Sequence, residues 1–486
     1  MEKITTTTSP TRDKTECNQD RFEFPDLISR KVVFEVNEQF VTANAGTILL
    51  AHMDRNQKIM ETFSECFVDH RRPELVEHSL ESLLRQRVYG IAMGYEDLND
   101  HDRLRADPLL AACCGRNDVE GRNRSPEDEG KPLAGKSTLN RLELSAQDLD
   151  AKYKKIKPKV DCLEAFFIEF FVDNLPKRTR EVILDLDTTD DLIHGDQEGS
   201  FYHAYYDNYC YCPLYVFCGG MPVVSKLRTG ESEHIEDTVE IMGQVVKTLR
   251  KRFGRSLKIL LRADSGFSRV ELIRFCREEE VDFLFGFGGN KILKRLVRET
   301  MRQAQSMFEY NKSENEKLYK ELKYKPKTSG WKQEPKYRVV AKCEVNEQGT
   351  NTRFVMTSLP IGRIEACGLY EDIYCARGDM ENRIKEQKLD LKSDRTSTHW
   401  MASNQLRLWF STLAYLLVHR LRSLIFQGTK WAKATCARIR LDFFKVAATV
   451  KTSCRRVVVS INAGYPYKEV WDLALGRLLQ LKTKET

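Results

Sequence analysis

The chain has 486 residues, of which 41% are hydrophobic and 31% are charged, and its formal net charge at pH 7 is +7. This length exceeds one usual core, so we expect about two to four domains of a soluble protein. The longest apolar run, 408–418, is too short to span a bilayer, which argues against a membrane protein. Since the first residues contain no apolar signal segment, we expect a cytoplasmic location.

Cysteine usage points to the same compartment. The sequence contains 14 cysteines but no C-x-x-C pair, so we expect reduced thiols. Cys210, Cys212 and Cys218 lie close together, but no second ligand pair has zinc-site spacing, and we expect no structural zinc.

The N-terminal third divides into two predicted parts. Residues 1–30 are polar and threonine-rich, and we expect a flexible N-terminus. Residues 31–160 are expected to form a mainly helical DNA-binding region. The alternation within 31–41 predicts a strand, and the apolar spacing of 73–87 predicts a helix that begins at Pro73. The stretch 89–116 predicts two short helices joined by a turn.

Residues 130–137 match the phosphate-binding pattern G-x4-G-K-S. A true phosphate-binding loop follows a buried apolar strand that holds it rigid. The preceding residues here are RNRSPEDE, which cannot form such a strand. We therefore interpret the segment as a loop that leads into a helix capped at Ser137 or Thr138.

The predicted catalytic core is of the α/β class and begins with residues 161–288. Strands are predicted at 182–187, 257–264 and 281–287, and 201–230 supplies two more. Helices are predicted at 231–252 and 268–280. Three antiparallel strands followed by strand–helix alternation is the order of the ribonuclease-H-like fold.

The pattern changes after residue 288. We expect a β-rich insertion over 289–370 that includes a hairpin, and a second part of the core over 371–428. Residues 403–426 predict a helix that is apolar on most faces and packs beneath the core. Residues 429–486 form a basic C-terminal region, which from Lys430 onward contains twelve Lys/Arg against four Asp/Glu and suits a polyanion. Its last helix is expected from Lys468.

Two predicted strands end in aspartates that could bind metal. Asp187 and Asp264 each follow a buried strand, and a sheet fixes such residues while their exposed end stays open to substrate. Asp185 shares one strand face with Asp187 because side chains alternate along a strand. Asp185 is therefore an alternative to Asp187. Asp190 and Asp191, which follow closely in the sequence, are two more alternatives.

Residues 374–388, which we call the signature segment, contain Tyr374, Arg377, Glu381 and Lys388. At about 100° per residue, these four side chains fall within an arc of about 60° on one helix face. Such a stripe is often a solvated face with i,i+4 ion pairs. An aromatic ring, two cations and one carboxylate also suit a surface that binds phosphates and places an acid among them.

The spacing Y-x2-R-x3-E-x6-K resembles the signature of one branch of the bacterial insertion-sequence transposases, which belong to the DDE superfamily and have a ribonuclease-H-like core. LDLDTTDD, HGDQEGSFYHAYYDNYCYCPL, LRADSGF and YGIAMGYEDLNDHDRLRADPLL resemble one insertion-sequence family within it. The resemblance covers roughly 180–425, and the 117 residues from Asp264 to Glu381 fit an insertion of this branch. We assign no catalytic role to His194.

The resemblance implies specific roles for the residues that match. Asp187, Asp264 and Glu381 would be the catalytic and metal-binding carboxylates, and Tyr374, Arg377 and Lys388 would bind DNA. Two divalent ions, Mg²⁺ with Mn²⁺ as an alternative, would support the chemistry. These roles are transferred from the family to the matching positions only.

The implied function is that of a DNA transposase that binds terminal inverted repeats and catalyses strand cleavage and strand transfer. Its partners would be the double-stranded DNA of the transposon ends and the target, bound by a homodimer. One alternative is a ribonuclease-H-like nuclease without strand transfer. Another is a non-catalytic DNA-binding remnant, against which the intact set of carboxylates speaks.

Overall fold

An eight-stranded mixed sheet forms the centre of the protein. The computed structural model describes residues 21–24, 32–35, 40–144, 155–231, 235–312 and 314–481. In chain order the strands of this sheet are Glu181–Thr188 (β1), Leu214–Cys218 (β2), Met221–Lys226 (β3), Lys258–Ala263 (β4), Asp282–Phe287 (β5), Asn315–Tyr324 (β6), Tyr337–Asn346 (β7) and Gly349–Thr357 (β8).

The spatial order of the strands is β3-β2-β1-β4-β5-β8-β7-β6. β1, β2 and β3 are antiparallel neighbours, whereas β4 and β5 run parallel to β1. The residues of β4 are almost all buried, as expected for a strand covered on both faces. The carboxyl ends of β1 and β4 therefore lie side by side at one edge of the sheet.

Helices surround the sheet and form most of the N-terminal region. Their bounds are Thr47–Gln57, Ile59–Glu65, Leu80–Ala92, His101–Leu104, Pro108–Cys113, Lys136–Glu143, Val160–Asn174, Ile235–Phe253, Val270–Glu278, Lys291–Leu296, Arg298–Asn311, Met401–Arg420, Cys436–Ile439 and Lys468–Gln480. The helix Met401–Arg420 is buried over most of its length and lies between β3 and the helix Leu80–Ala92. It joins the N-terminal region to the core, as its apolar sequence predicts.

Short strands form four further small sheets among the described residues. Their bounds are Arg21–Phe24 with Val32–Glu35; Val41–Thr42 with Ala448–Ser453, which also pairs with Arg456–Ile461; Phe67–Asp69 with Ile156–Pro158; and Asp191–Leu192 and Phe201–His203 on either side of Asn208–Tyr211. The N-terminal and C-terminal regions thus share one small sheet. Within the described ranges, no helix combines the length and the apolar character needed to cross a membrane.

The mixed α/β class and the mainly helical N-terminal region are as predicted. The helix predicted to begin at Pro73 begins instead at Leu80, because the Ser79 side chain accepts a hydrogen bond from Ser82 N and so caps the first turn. The segment Pro73–Leu75 is a single 3₁₀ turn. The prediction of a flexible N-terminus falls mostly on residues outside the described part of the chain.

The predicted insertion contains helices as well as strands. The helices Lys291–Leu296 and Arg298–Asn311 precede β6, and the predicted hairpin is formed by β7 and β8. β8 pairs with β5, so the three added strands extend the central sheet and do not form a separate one. The domain boundaries given above stay a prediction.

The prediction of reduced thiols is wrong for one pair of cysteines. Cys66 and Cys162 form a disulfide with a sequence separation of 96. The ladder of Phe67–Asp69 with Ile156–Pro158 begins next to Cys66 and ends shortly before Cys162, so it brings the two residues together. Sequence spacing could not reveal this pair, because the ladder joins segments from different parts of the chain.

Candidate active site

The two aspartates predicted at strand ends lie next to each other at the carboxyl edge of the sheet. Ala263 of β4 is paired with Leu186 of β1 in a parallel register, and Asp264 and Asp187 are the next residues on each strand. The Asp264 carboxylate accepts a hydrogen bond from Gly266 N at 2.9 Å and opens the turn that follows β4. This turn fixes the direction in which Asp264 leaves the sheet.

The signature segment lies within a helical stretch from residue 366 to 390. Its parts are Ala366–Gly368 (α), Leu369–Tyr374 (π), Cys375–Arg377 (3₁₀), Gly378–Lys385 (α) and Glu386–Asp390 (π). We call this stretch the signature helix. Its irregular winding was not predicted, because the sequence carries no proline that would mark a change of helix type.

Arg377 joins the signature helix to the end of β1. Its Nη1 lies 3.0 Å from Asp187 Oδ2, and its Nη2 lies 3.1 Å from Glu381 Oε1. Asp187 and Glu381 therefore share a single guanidinium group. The predicted carboxylate of the helix and the predicted carboxylate of the strand are thus brought to one place.

Tyr374 Oη and the turn that follows Asp264 both approach Gly286 of β5. A Cβ atom added at Gly286 of β5 would lie 2.6 Å from Tyr374 Oη and 2.8 Å from Ser265 N. The absence of a side chain at Gly286 therefore allows the tyrosine, the turn and β5 to meet. Arg377 therefore links Asp187 and Glu381, and Tyr374 lies near the turn that follows Asp264.

The two predicted phosphate-binding cations face acidic residues of the strand end. Lys388 Nζ lies 3.1 Å from Thr189 Oγ1 and 3.7 Å from Asp191 Oδ1, and it also donates to the Asp190 carbonyl oxygen. The side chains of Arg377 and Lys388 are 13% and 20% exposed. Carboxylates therefore contact both cations in this structure, and their binding of DNA phosphate stays a prediction.

The alternatives to Asp187 have other partners. Asp185 is buried and forms two hydrogen bonds with Arg262, at 2.5 and 2.8 Å. Asp190 contacts Lys388, and Asp191 is fully buried. Asp187 is the member of this group that shares Arg377 with Glu381, which favours it over the other three.

Comparison with known proteins identifies the family of this chain. Residues 24–483 match the family described as Transposase DDE domain group 1. The chain belongs to this family. It is thus a DDE-type transposase, a class of enzyme that cleaves and transfers DNA strands.

One solved structure of low similarity is a piggyBac transposase synaptic complex with hairpin DNA. It has 11% sequence identity and a TM-score of 0.38, over 84% of this chain and 82% of that chain. No curated protein sequence is significantly similar to this chain.

Burial raises the pKa of several carboxyl groups at the candidate site. Burial, with a smaller contribution from the Asp264 charge, raises the pKa of Asp187 to about 6 against the opposing effect of Arg377. Burial raises the pKa of Asp191 to about 8 against the opposing effect of Lys388. Burial also raises the pKa of Asp185, although Arg262 opposes it.

A different group of residues comes closest to a ready-made metal cluster. Among the described residues, the one set of three potential ligands with atoms all within 4.8 Å of one another is Glu386, Asp390 and Cys436. Asp187, Asp264 and Glu381 are less tightly grouped, and the Arg377 guanidinium lies between Asp187 and Glu381.

Protein groups already satisfy the acids of this second cluster. Glu386 accepts from Arg422 at 2.8 Å and from Cys436 N at 2.9 Å, and Asp390 accepts from Ala437 N at 2.8 Å. Burial raises the pKa of the Cys436 thiol well above its usual range, which disfavours the thiolate that a metal needs. We interpret the cluster as the cap of the helix Cys436–Ile439.

The P-loop-like segment has the structure of an ordinary loop. The described residues 118–135 contain turns and bends but no strand. The helix begins at Lys136 after Gly135, so the predicted cap at Ser137 or Thr138 is wrong. Lys136 Nζ lies 3.2 Å from Asn99 Oδ1 and 3.3 Å from Asp102 Oδ2. The lysine thus pairs with side chains of this protein.

Sequence reasoning missed two residues of the site, Arg262 and Gly286. Arg262 lies two positions before Asp264 and therefore on the same face of β4, which is a signal that could have been used. Gly286 lies within a strand, where glycine often marks close approach of another part of the backbone. Both signals are weak until the neighbouring strand is known.

Proposed function

We propose that this DDE transposase is encoded by a bacterial insertion sequence, binds its terminal inverted repeats, and catalyses cleavage and transfer of their strands. The observation that supports the proposal is that Asp187 and Asp264 lie at the ends of neighbouring strands, while Arg377 contacts both Asp187 and Glu381. The order β3-β2-β1-β4-β5, with three antiparallel strands followed by two parallel ones, supports a ribonuclease-H-like core.

The three carboxylates fit a pair of divalent metal ions. Asp187, Asp264 and Glu381 offer oxygen ligands from three separate elements, which is the donor type that Mg²⁺ and Mn²⁺ prefer. When bound, such ions activate the attacking oxygen and stabilise the leaving oxygen of a phosphodiester. The partly buried setting of Asp187 and its raised pKa mean that binding requires loss of its proton.

The residues of the signature helix have separate tasks in this proposal. Glu381 supplies a ligand, and Arg377 balances the charge of Asp187 and Glu381 while presenting a planar fork toward a DNA phosphate. Lys388 supplies a second cation next to the strand end. Tyr374 positions the turn after β4, so its contact with DNA involves the remaining exposed part of the ring.

The DNA partner is supported by the distribution of positive charge. The hairpin formed by Ala448–Ser453 and Arg456–Ile461 carries exposed Lys451, Arg455 and Arg456 and no carboxylate. We propose that this hairpin and the helical N-terminal region bind the duplex of the transposon end. A homodimer would hold two ends together during strand transfer.

A cleavage and joining assay tests the proposal. Labelled duplexes that carry the flanking inverted repeats are incubated with the protein, a target plasmid and Mg²⁺, and the products are separated on denaturing and native gels. We expect cleavage at the repeat boundary and joining to the plasmid, both abolished by Asp264→Asn and absent with scrambled repeats.

The same assay separates the alternatives. Cleavage without any joined product would indicate a nuclease. Binding of the repeats without cleavage, in Mg²⁺ and in Mn²⁺, would indicate a DNA-binding remnant. Either outcome would contradict the proposed function.

A further inference from the structure

Arg262 lies directly beneath the proposed ligands, where β1 and β4 are paired. Arg262 and Asp185 are partners in the parallel register of the two strands. Each lies two residues before a proposed ligand, since Asp264 follows Arg262 and Asp187 follows Asp185. Side chains two apart on a strand share a face, so this pair supports the same side of the sheet as the two ligands.

The contact between the two side chains is bidentate and buried. Arg262 Nε lies 2.5 Å from Asp185 Oδ1, and Arg262 Nη2 lies 2.8 Å from Asp185 Oδ2. The side chains are 9% and 6% exposed. A planar fork on a planar carboxylate fixes the orientation of both groups in a way that a single contact does not.

The remaining nitrogen of Arg262 reaches the signature helix. Nη1 donates to the carbonyl oxygen of Ile373, one residue before Tyr374. At this point the helix changes from π to 3₁₀ winding. One guanidinium group on β4, the strand that leads to Asp264, therefore contacts β1 and the signature helix, which carry Asp187 and Glu381.

Stability alone does not account for a charged pair at this position. Taking two charges out of water is costly, and well-packed apolar residues often stabilise a core equally well. A buried ion pair does, however, select one relative arrangement of the parts that it joins. Here those parts are the three carriers of the proposed ligands.

We propose that Arg262 is a positioning residue that sets the distances among Asp187, Asp264 and Glu381 through its contacts with Asp185 and Ile373. The inference rests on the proposed function of those three carboxylates. It assigns to Arg262 no contact with DNA or metal. Its effect should appear in metal binding and turnover, and not in recognition of the transposon end.

The test replaces the whole pair with apolar residues in the full-length protein. Asp185→Leu/Arg262→Met leaves no unpaired charge, so we expect it to fold with a Tm within a few degrees of the unchanged protein. We expect unchanged gel-shift binding of the transposon end in Ca²⁺. We expect kcat for cleavage to fall at least tenfold with KM for DNA unchanged, and the Mg²⁺ concentration for half-maximal rate to rise at least tenfold.

Two further variants frame this result. Glu334→Gln removes a buried carboxylate that pairs with Arg274 and Arg277, outside the three carrier elements, and should leave kcat and the Mg²⁺ dependence unchanged. Arg262→Lys keeps the charge but not the fork, so its kcat should fall between those of the unchanged protein and the double variant. If the double variant does not fold, the Mg²⁺ concentration for half-maximal rate is measured on Arg262→Lys.

Mn²⁺ binding measured by electron paramagnetic resonance gives a readout that does not need turnover. Weaker Mn²⁺ binding by the double variant supports the positioning role. Full kcat and an unchanged Mg²⁺ dependence in a folded variant would overturn it, and so would a folded Arg262→Lys protein with both properties unchanged. An unchanged protein that binds no Mn²⁺ overturns the proposed function itself.

Discussion

Arg377 Nη1 lies 3.0 Å from Asp187 Oδ2, although 190 residues separate the two positions in the chain. The same guanidinium contacts Glu381 at 3.1 Å. A residue expected to bind DNA phosphate thus also contacts two proposed metal ligands. These two tasks can be separated by experiment.

Replacement of Arg377 by alanine should move the pH dependence of cleavage. Arg377 lowers the pKa of Asp187, which burial raises to about 6, so its loss should raise that pKa further. Because Asp187 must be ionised to bind metal, the acid limb of the cleavage profile should move to higher pH. Arg377→Lys, which keeps a cation, should move the limb less. An acid limb that stays in place would contradict the assigned contact.

The same variant reports on contact with the DNA backbone. If Arg377 binds one phosphate in the complex, gel shifts at several salt concentrations should show a slope of log K against log salt that is smaller by about one. End binding should also weaken. An unchanged slope would mean that Arg377 contacts Asp187 and Glu381 but no DNA phosphate.

Gly286→Ala should disturb the site, because the added Cβ has too little space. The new Cβ would lie 2.6 Å from Tyr374 Oη and 2.8 Å from Ser265 N, next to Asp264. Since a misplacement of about 1 Å can cost about 100-fold in rate, we expect at least a tenfold loss of cleavage. Adding Tyr374→Phe removes only the first contact and should not restore the rate.

Gly243→Ala is the matched control for that change. Gly243 lies inside the helix Ile235–Phe253, and an added Cβ would meet its nearest neighbour, Phe275, at 3.8 Å. We expect normal cleavage and a free energy of unfolding higher by about 0.4–1 kcal/mol. Normal cleavage by Gly286→Ala as well would show that the site tolerates displacement of this turn.

Asp191→Asn should stabilise the protein in a manner that depends on pH. Burial raises the pKa of Asp191 to about 8, far above the usual range of an aspartate. The stability linked to this proton is fully present below about pH 4 and is lost as the pH rises to about 8. The asparagine variant avoids this loss, so its advantage in unfolding free energy should grow across that range, to a few kcal/mol.

Urea unfolding at pH 4, 6 and 8 measures this advantage. Asp196→Asn changes an exposed aspartate five residues away and should show no such trend. An advantage of Asp191→Asn that is equal at all three values would mean that Asp191 is ionised in the folded protein, with Lys388 as its full counter-charge.

Glu381→Gln should separate metal binding from DNA binding on the signature helix. The change keeps the size of the side chain but removes its charge, so cleavage should collapse. It also removes a repulsion near phosphate, so binding of the transposon end in Ca²⁺ should persist or tighten. Normal cleavage by this variant would remove Glu381 from the site.

The sequence predicted the elements of the core better than their connections. β1, β4 and β5 were recognisable from continuous apolar runs that end in polar turns, and the hairpin of β7 and β8 from its alternation. Such signals are local. Extension of the central sheet by β6, β7 and β8 depends on pairing of β8 with β5, which no local pattern encodes.

The site shows the same limit. Asp187, Asp264 and Glu381 could be selected by position and resemblance, but not the contacts of the cations. Arg377 and Lys388 share a helix face with Glu381, and helical spacing alone cannot show whether that face meets solvent or a strand end. Arg262 became visible only when the register placed it opposite Asp185.

The most direct test of the account is to locate the bound metal. Fe²⁺ is exchanged for Mg²⁺ in the full-length protein, ascorbate and peroxide are added, and the sites of backbone cleavage by hydroxyl radicals are mapped by mass spectrometry. We predict cuts close to Asp187, Asp264 and Glu381 that excess Mg²⁺ suppresses. Cuts confined to the neighbourhood of Glu386, Asp390 and Cys436, or none that Mg²⁺ suppresses, would contradict the assignment of the three carboxylates to one metal site.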